Sequence, residues 1–406
     1  MNRLYYALNC GKTTWDRLFW GLTLWMPSFY MFSETFNLQM GNRLILVYTI
    51  LTIGYLHKKF LRVSKVRTLL GFDFALIIYL AYEVEIGGIG DILSSDFYCF
   101  VLMAVSFLIF SDIEILEEFY YFYLEKEKKF LLRAGIMVLM LCYSVIYGSG
   151  LLSSFGSVIP VLYGPFSIPH VMGYIFIVVY CEATFFDRHN SHLIYKFIKI
   201  FCVIGCVWTA ARSAVLGMGI VVLFDYLTIK QRSKKVVICA IAVVAVTALI
   251  LTNSRILLNN PLIQKTIDAE NTGSITSGRE IYRAAASDYY LHSCNMWQKI
   301  IGIGMDQVRN VMYSAVRVRI HVHNEYYNAL LGYGFIGLVI YIFIQLLPRK
   351  VIDKLLDFFA CFGLVAVLAY YNGFAMYSLI TISCPIIFIY FNRCNSCCQD
   401  VWQNLE

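Results

Sequence analysis

The sequence predicts an all-α polytopic membrane protein, with about twelve transmembrane helices and one large extracytoplasmic loop. Three observations predict it. Apolar residues make up 59% of the 406 and charged residues only 15%, against roughly 45–50% and 25% in soluble domains. The apolar residues fall in runs near the ~20 residues that cross a hydrocarbon layer as helix. Mean hydropathy is +0.66, and there are only seven prolines to interrupt such runs. This composition excludes a soluble enzyme, a disordered chain and a disulfide-stapled secreted domain.

Taken in order, the runs place spans at 18–36, 43–56, 68–86, 97–116, 134–152, 170–186, 193–211, 213–229, 236–252, 326–347, 355–371 and 373–391. No soluble domain, linker or internal repeat interrupts them, so 1–406 reads as a single integral membrane domain. The first run, Leu18 to Phe32, lacks a small-residue cleavage site and reads as a retained span. Most of the 13 cysteines lie inside apolar runs, where Cys behaves as a small hydrophobe. Cys394, Cys397 and Cys398 crowd the end of the chain but fall one ligand short of a zinc site.

Charge sets the expected orientation. Alternate loops carry Lys58, Lys59 and Lys65, then Lys126, Lys128, Lys129 and Arg133, then Lys196 and Lys199, then Arg232 and Lys234, then Arg349 and Lys350. By the positive-inside rule this face is cytoplasmic, and both termini lie on it. That rule also accounts for the net charge of +7, with no need of a nucleic-acid partner. The segment 253–325, between the ninth and tenth spans, then lies outside the cytoplasm. It is nonetheless rich in cations: Arg255, Lys265, Arg279, Arg283, Lys299, Arg309, Arg317 and Arg319. Arginine offers a planar fork that grips phosphate or carboxylate through two hydrogen bonds. The ordinary alternative is a solvated loop balanced by Asp268, Glu270, Glu280, Asp288, Asp306 and Glu325.

Four patterns fall on this outer side. Thr209-Ala210-Ala211-Arg212-Ser213 puts an arginine at the junction of two spans, a costly place without a wet cavity or an anionic partner. Thr276-Ser277-Gly278-Arg279-Glu280-Ile281-Tyr282-Arg283 predicts a turn followed by a helix with Arg279 and Arg283 on one face, suited to a diphosphate. Gly302-Ile303-Gly304 is a glycine turn without the continuation of a nucleotide loop. His321-Val322-His323-Asn324-Glu325-Tyr326 precedes the tenth span and leads into Gly332-Tyr333-Gly334-Phe335-Ile336-Gly337. The two histidines lack the partners of a metal site, whereas a neutral His at a membrane mouth suits general-base work. Asp73, Glu83, Glu85, Asp112, Glu114, Glu182 and Asp225 fall near span ends and are assigned no chemistry, with Arg67 as a candidate partner for Asp73.

The order of T-x-x-R-S, S-G-R, G-x-G and H-N-x-Y with G-x-x-G resembles the O-antigen ligase/polymerase superfamily over roughly residues 150–350. Gly164-Pro165-Phe166-Ser167-Ile168-Pro169-His170 is similar to that family's glycine–proline segment, with His170 where the family often carries Asn. The resemblance implies a GT-C-like, metal-independent, inverting glycosyltransferase of the bacterial inner membrane that needs no cofactor. Its substrate would be an undecaprenyl-diphosphate-linked oligosaccharide, handled on the periplasmic side, with a chain-length regulator as a candidate partner in the same bilayer. Carried over by position, Arg212 and Arg279 would bind the diphosphate, joined by Arg283, and His323 would be the catalytic His. Glu325 is the second choice of base, and His170, Arg317, Arg319, Asn324 and Tyr326 are candidate glycan or acceptor contacts. The expected reaction is O-antigen or capsular repeat-unit polymerisation. Transfer of glycan to lipid A–core by a ligase is the alternative, and a flippase or anion transporter is the second.

Overall fold

The computed structural model describes residues 14–38, 40–62, 65–87, 95–148, 150–152, 160–228, 279–317, 319–371, 373–375 and 378–392. The ninth expected span, 236–252, and residues 253–278 of the outer loop lie outside them. Among the described residues the regular structure is helical apart from a two-residue antiparallel ladder, β1 (Leu151–Leu152) against β2 (Val161–Leu162).

The first helices are α1 (Thr14–Thr35), α2 (Gly41–Arg62), α3 (Val66–Gly87), α4 (Ser95–Phe110), α5 (Ile113–Leu124) and α6 (Glu127–Tyr147). After the ladder come α7 (Pro169–His189), α8 (Leu193–Trp208) and α9 (Arg212–Thr228). The segment after residue 278 supplies α10 (Arg279–Asp288), α11 (Met296–Ile301) and α12 (Met305–Val316). The last group is α13 (Glu325–Leu346), α14 (Leu355–Tyr371), α15 (Ser378–Ile382) and α16 (Cys384–Phe391). By length and hydropathy alone, four of these can cross a bilayer: Gly41–Leu61, Glu127–Tyr147, Pro169–His189 and Glu325–Lys350. A fifth span is possible if α4 and α5 are counted together.

Three expected spans are reshaped. The run 97–116 breaks at Ser111–Asp112, where α5 leaves α4 at 90°. Asp112 causes the break by capping α5, its carboxylate accepting the Glu114 and Ile115 N–H groups at 3.1 and 3.3 Å. The run 373–391 is two short helices joined at Ser383. The run 326–347 contains Gly334 at φ 69° and ψ −167°, outside helical geometry. In a straight helix Tyr326 and Gln345 would lie about 28 Å apart, yet the Tyr326 hydroxyl donates to Gln345 Oε1 at 2.8 Å. The Tyr341 hydroxyl likewise donates to Glu325. α13 is therefore two arms folded back on each other at Gly334, despite having the length and hydropathy of one span.

α7 is the axis of the bundle, with nearly every side chain buried from Pro169 to Phe186. Its far end is held by Tyr195 and Asn190, which donate to Glu127 at the start of α6, and by Arg188, which pairs with Asp225 at 3.3 Å. Many of the basic residues expected in loops at this end are in ion pairs with helical carboxylates. Lys59 is 1% exposed and joins Asp16 at 3.3 Å and Glu118 at 2.5 Å. Arg133, expected just before a span, lies inside α6, is 5% exposed and pairs with Glu182. Asp73 pairs with His57 at 3.0 Å rather than with Arg67.

Candidate active site

The α8–α9 turn is as tight as its sequence suggests. Thr209 closes α8, Ala210 adopts φ 48°, and Arg212 is the first residue of α9. The small side chains at Ala210 and Ala211 are buried and let the hairpin close against the α7 start. Ser213 then meets α7 directly: its hydroxyl lies 3.1 Å from the Tyr174 hydroxyl and 3.5 Å from His170 Nδ1. The structure thus brings His170 to the Arg212–Ser213 turn from 43 residues away, an association that sequence reading left open.

The second group forms around α10. Arg279 and Arg283 lie on one face, as their spacing predicts, and both reach the C-terminal end of α14. Arg279 Nη1 donates to the Tyr371 carbonyl, and Arg283 Nη2 donates to the Tyr370 carbonyl at 3.2 Å. The Arg283 guanidinium also sits 4.2 Å from the Tyr370 ring centre, and its Nη1 donates to that hydroxyl at 2.9 Å. Carbonyls at a helix C-terminus carry partial negative charge and attract cations. Arg283 Nε is buried without a hydrogen-bond acceptor among the described residues.

Between the two arginines α10 presents Tyr282, whose ring centre is 5.9 Å from that of His323. His323 is itself held at φ 55°, a left-handed geometry uncommon outside glycine. His321 turns elsewhere and accepts from Arg309 Nε at 2.9 Å. The two histidines therefore serve different partners. Among the described residues no three His, Cys, Asp or Glu side chains gather as a metal site.

The remaining expected residues occupy defined structural places. Asn324 is 1% exposed and caps α13, its Oδ1 accepting the Tyr326 and Tyr327 N–H groups at 3.0 and 3.3 Å. Glu325 is fully buried against Tyr341, and Tyr326 reaches Gln345. Arg317 ends α12 at φ 61°, and Arg319 pairs with Asp306 at 3.7 Å.

The glycine turn is the scaffold beneath the site. Ile303 and Gly304 N–H donate to the Leu331 and Gly332 carbonyls at 2.8 and 3.0 Å, tying the α11–α12 turn to the first arm of α13. A side chain at Gly302 would begin 2.1 Å from the Gly332 oxygen, and one at Gly334 would begin 2.4 Å from Ile300. From α3, Tyr82 donates to the Gly302 carbonyl, and Glu83 accepts the Met305 N–H at 3.0 Å where α12 begins. Glu83 is 1% exposed. Sequence reading gave it no role, although a carboxylate in an apolar run was the available signal.

α14 passes Gly217 of α9, where Leu364 and Leu368 pack. Arg212 and Tyr371 therefore each lie within about two helical turns of one crossing. The fold is that of a multi-pass membrane protein with a cationic, histidine-bearing site. Residues 197–342, which include the α8–α9 turn, α10 and the HNEY segment, match the family model described as O-antigen ligase, in line with the superfamily that the motif order resembles. The glycine–proline segment and α14 lie outside the match. No curated protein matches the chain.

Proposed function

We propose that this protein is an inner-membrane repeat-unit polymerase, which transfers a growing undecaprenyl-diphosphate-linked glycan to a new lipid-linked repeat unit. The observation that carries this reading is the approach of His323 to Tyr282, between Arg279 and Arg283, inside the matched domain. In the reaction the anomeric carbon loses its bond to the diphosphate oxygen and gains one to an acceptor hydroxyl. His323 accepts the hydroxyl proton, and undecaprenyl diphosphate leaves with the negative charge. Guanidinium groups placed beforehand stabilise that charge as it develops. Arg212, Arg279 and Arg283 are the groups to do so, and Arg283 Nε is a buried donor without an acceptor among the described residues. Glu325, enclosed with Tyr341, is the weaker choice of base. His170, beside Ser213, extends the same site from α7.

A single displacement of this kind inverts the anomeric centre and takes place on the periplasmic side. The family description favours a ligase as the second reading. Deleting the gene and resolving surface glycan on a gel separates the two. A ladder reduced to one repeat on core is the polymerase result. Bare core with accumulating lipid-linked polymer identifies a ligase, and purified protein that moves lipid-linked sugars without forming a bond identifies a transporter.

A further inference from the structure

At the opposite end of the bundle from Arg212, a cavity of about 270 Å³ opens between the start of α1, the end of α5 and the start of α6. α7 separates the two regions: its start meets Ser213, and its end meets Glu127 of α6. Twenty-one residues of helix make that separation about 30 Å.

Four cations line the cavity: Arg17, Lys126, Lys129 and Arg133. Several cations at this end are in ion pairs with carboxylates, so the charge balance within the cavity decides what it attracts. Arg133 forms its buried floor and is neutralised by Glu182. Lys126 stands 4.7 Å over the Phe122 ring and is 3.6 Å from Glu125, whose side chain is 64% exposed. Arg17 and Lys129 have no ion-pair or hydrogen-bond partner among the described residues. The rim therefore carries uncompensated positive charge above aromatic and aliphatic walls that include Trp25 and Phe130.

Adjoining surfaces show what kind of anion fits. Leu18, Leu22 and Phe29 continue the outward face of α1, and Leu132 that of α6, at 56, 37, 45 and 59% exposure. These are lipid-facing side chains, and they begin where the cationic rim ends. A soluble anion would use the rim alone. A lipid would use both, its phosphate among Arg17, Lys126 and Lys129 and its acyl chains along the leucines. Basic pockets at helix ends bind anionic headgroups by this division of labour, and a tryptophan such as Trp25 suits the interfacial depth.

We propose that this cavity binds the phosphate headgroup of an anionic phospholipid of the surrounding bilayer. The site is independent of the glycan chemistry proposed above. The test uses the full-length protein in nanodiscs of phosphatidylglycerol or phosphatidylethanolamine, with retained lipid measured by native mass spectrometry. Phosphatidylglycerol is retained and phosphatidylethanolamine is not. A basic residue at an anionic surface contributes roughly fivefold in affinity, so Arg17→Gln with Lys129→Gln lowers retention about thirtyfold. Lys196→Gln, which removes an exposed charge at the same end but outside the cavity, leaves retention unchanged, and Lys129→Arg preserves it. Equal retention of the two lipids, or a double variant that binds like the parent, overturns the proposal. Displacement of phosphatidylglycerol by millimolar inorganic phosphate assigns the cavity to a soluble anion and overturns it as well.

Discussion

Arg279 shows what a guanidinium does here that an ammonium would not. Its Nη1 is committed to the Tyr371 carbonyl, so any phosphate must be gripped by the other donors of the same rigid fork. Lysine keeps the charge but cannot hold a carbonyl and two phosphate oxygens in fixed geometry. Arg279→Lys is therefore expected to lower the rate of glycan lengthening about tenfold or more, equivalent to roughly 1.4 kcal/mol, with expression unchanged. Unchanged turnover would remove Arg279 from the site. His323 presents a separate problem, because its φ of 55° is strained for most side chains. Asparagine tolerates that backbone region better than alanine does. His323→Asn should fold, bind lipid-linked donor and fail to lengthen glycan, measured by donor binding beside product gels. Loss of donor binding would argue against a base at this position.

At the scale of elements, the glycine contacts join α11, α12 and α13 into one unit. The Gly302-Ile303-Gly304 backbone lies against Leu331 and Gly332, with no room for a methyl group at Gly302. Gly334→Ala would combine a positive φ with a Cβ 2.4 Å from Ile300. The expected cost is about 3 kcal/mol or more, seen as a lower unfolding temperature in detergent and as loss of activity. The sequence marks these glycines clearly but does not reveal their partners. Arg279 and Arg283 fare similarly. Their four-residue spacing predicts a shared helix face, and α10 provides it. That the face meets the end of α14 rests on a contact across roughly 90 residues, for which the local sequence has no signal.

For the molecule as a whole, the two ends differ in how charge is used. One end holds several of its cations in pairs such as Lys59–Asp16, Arg133–Glu182 and Lys199–Asp187. The other directs Arg279 and Arg283 at carbonyls and an aromatic ring. We expect the ends to face opposite sides of the membrane, and cysteine labelling checks this. Met296→Cys, at a residue 72% exposed, should react with an impermeant maleimide added to spheroplasts. Glu125→Cys should react only after permeabilisation. The nearby native Cys294 is 7% exposed, and burial holds its thiol above the usual pKa. It therefore carries less thiolate at pH 7 and should stay unlabelled there, becoming reactive as the pH rises. The reverse labelling pattern would put the site on the cytoplasmic side and end the proposal of periplasmic polymerisation.

The sequence by itself determined the membrane class, many of the helical segments, the shared face of Arg279 and Arg283 and the motifs that the family model matches, because hydropathy, residue spacing and short motifs are local quantities. Tertiary structure decided that one apolar run of spanning length folds back at Gly334, that Glu83 caps a helix 222 residues away, and that His170 meets Arg212's turn. The physical reason is the same in each case. Hydropathy measures whether a segment prefers lipid or protein to water, but its path and the partners of its polar groups are set by contacts distant in sequence.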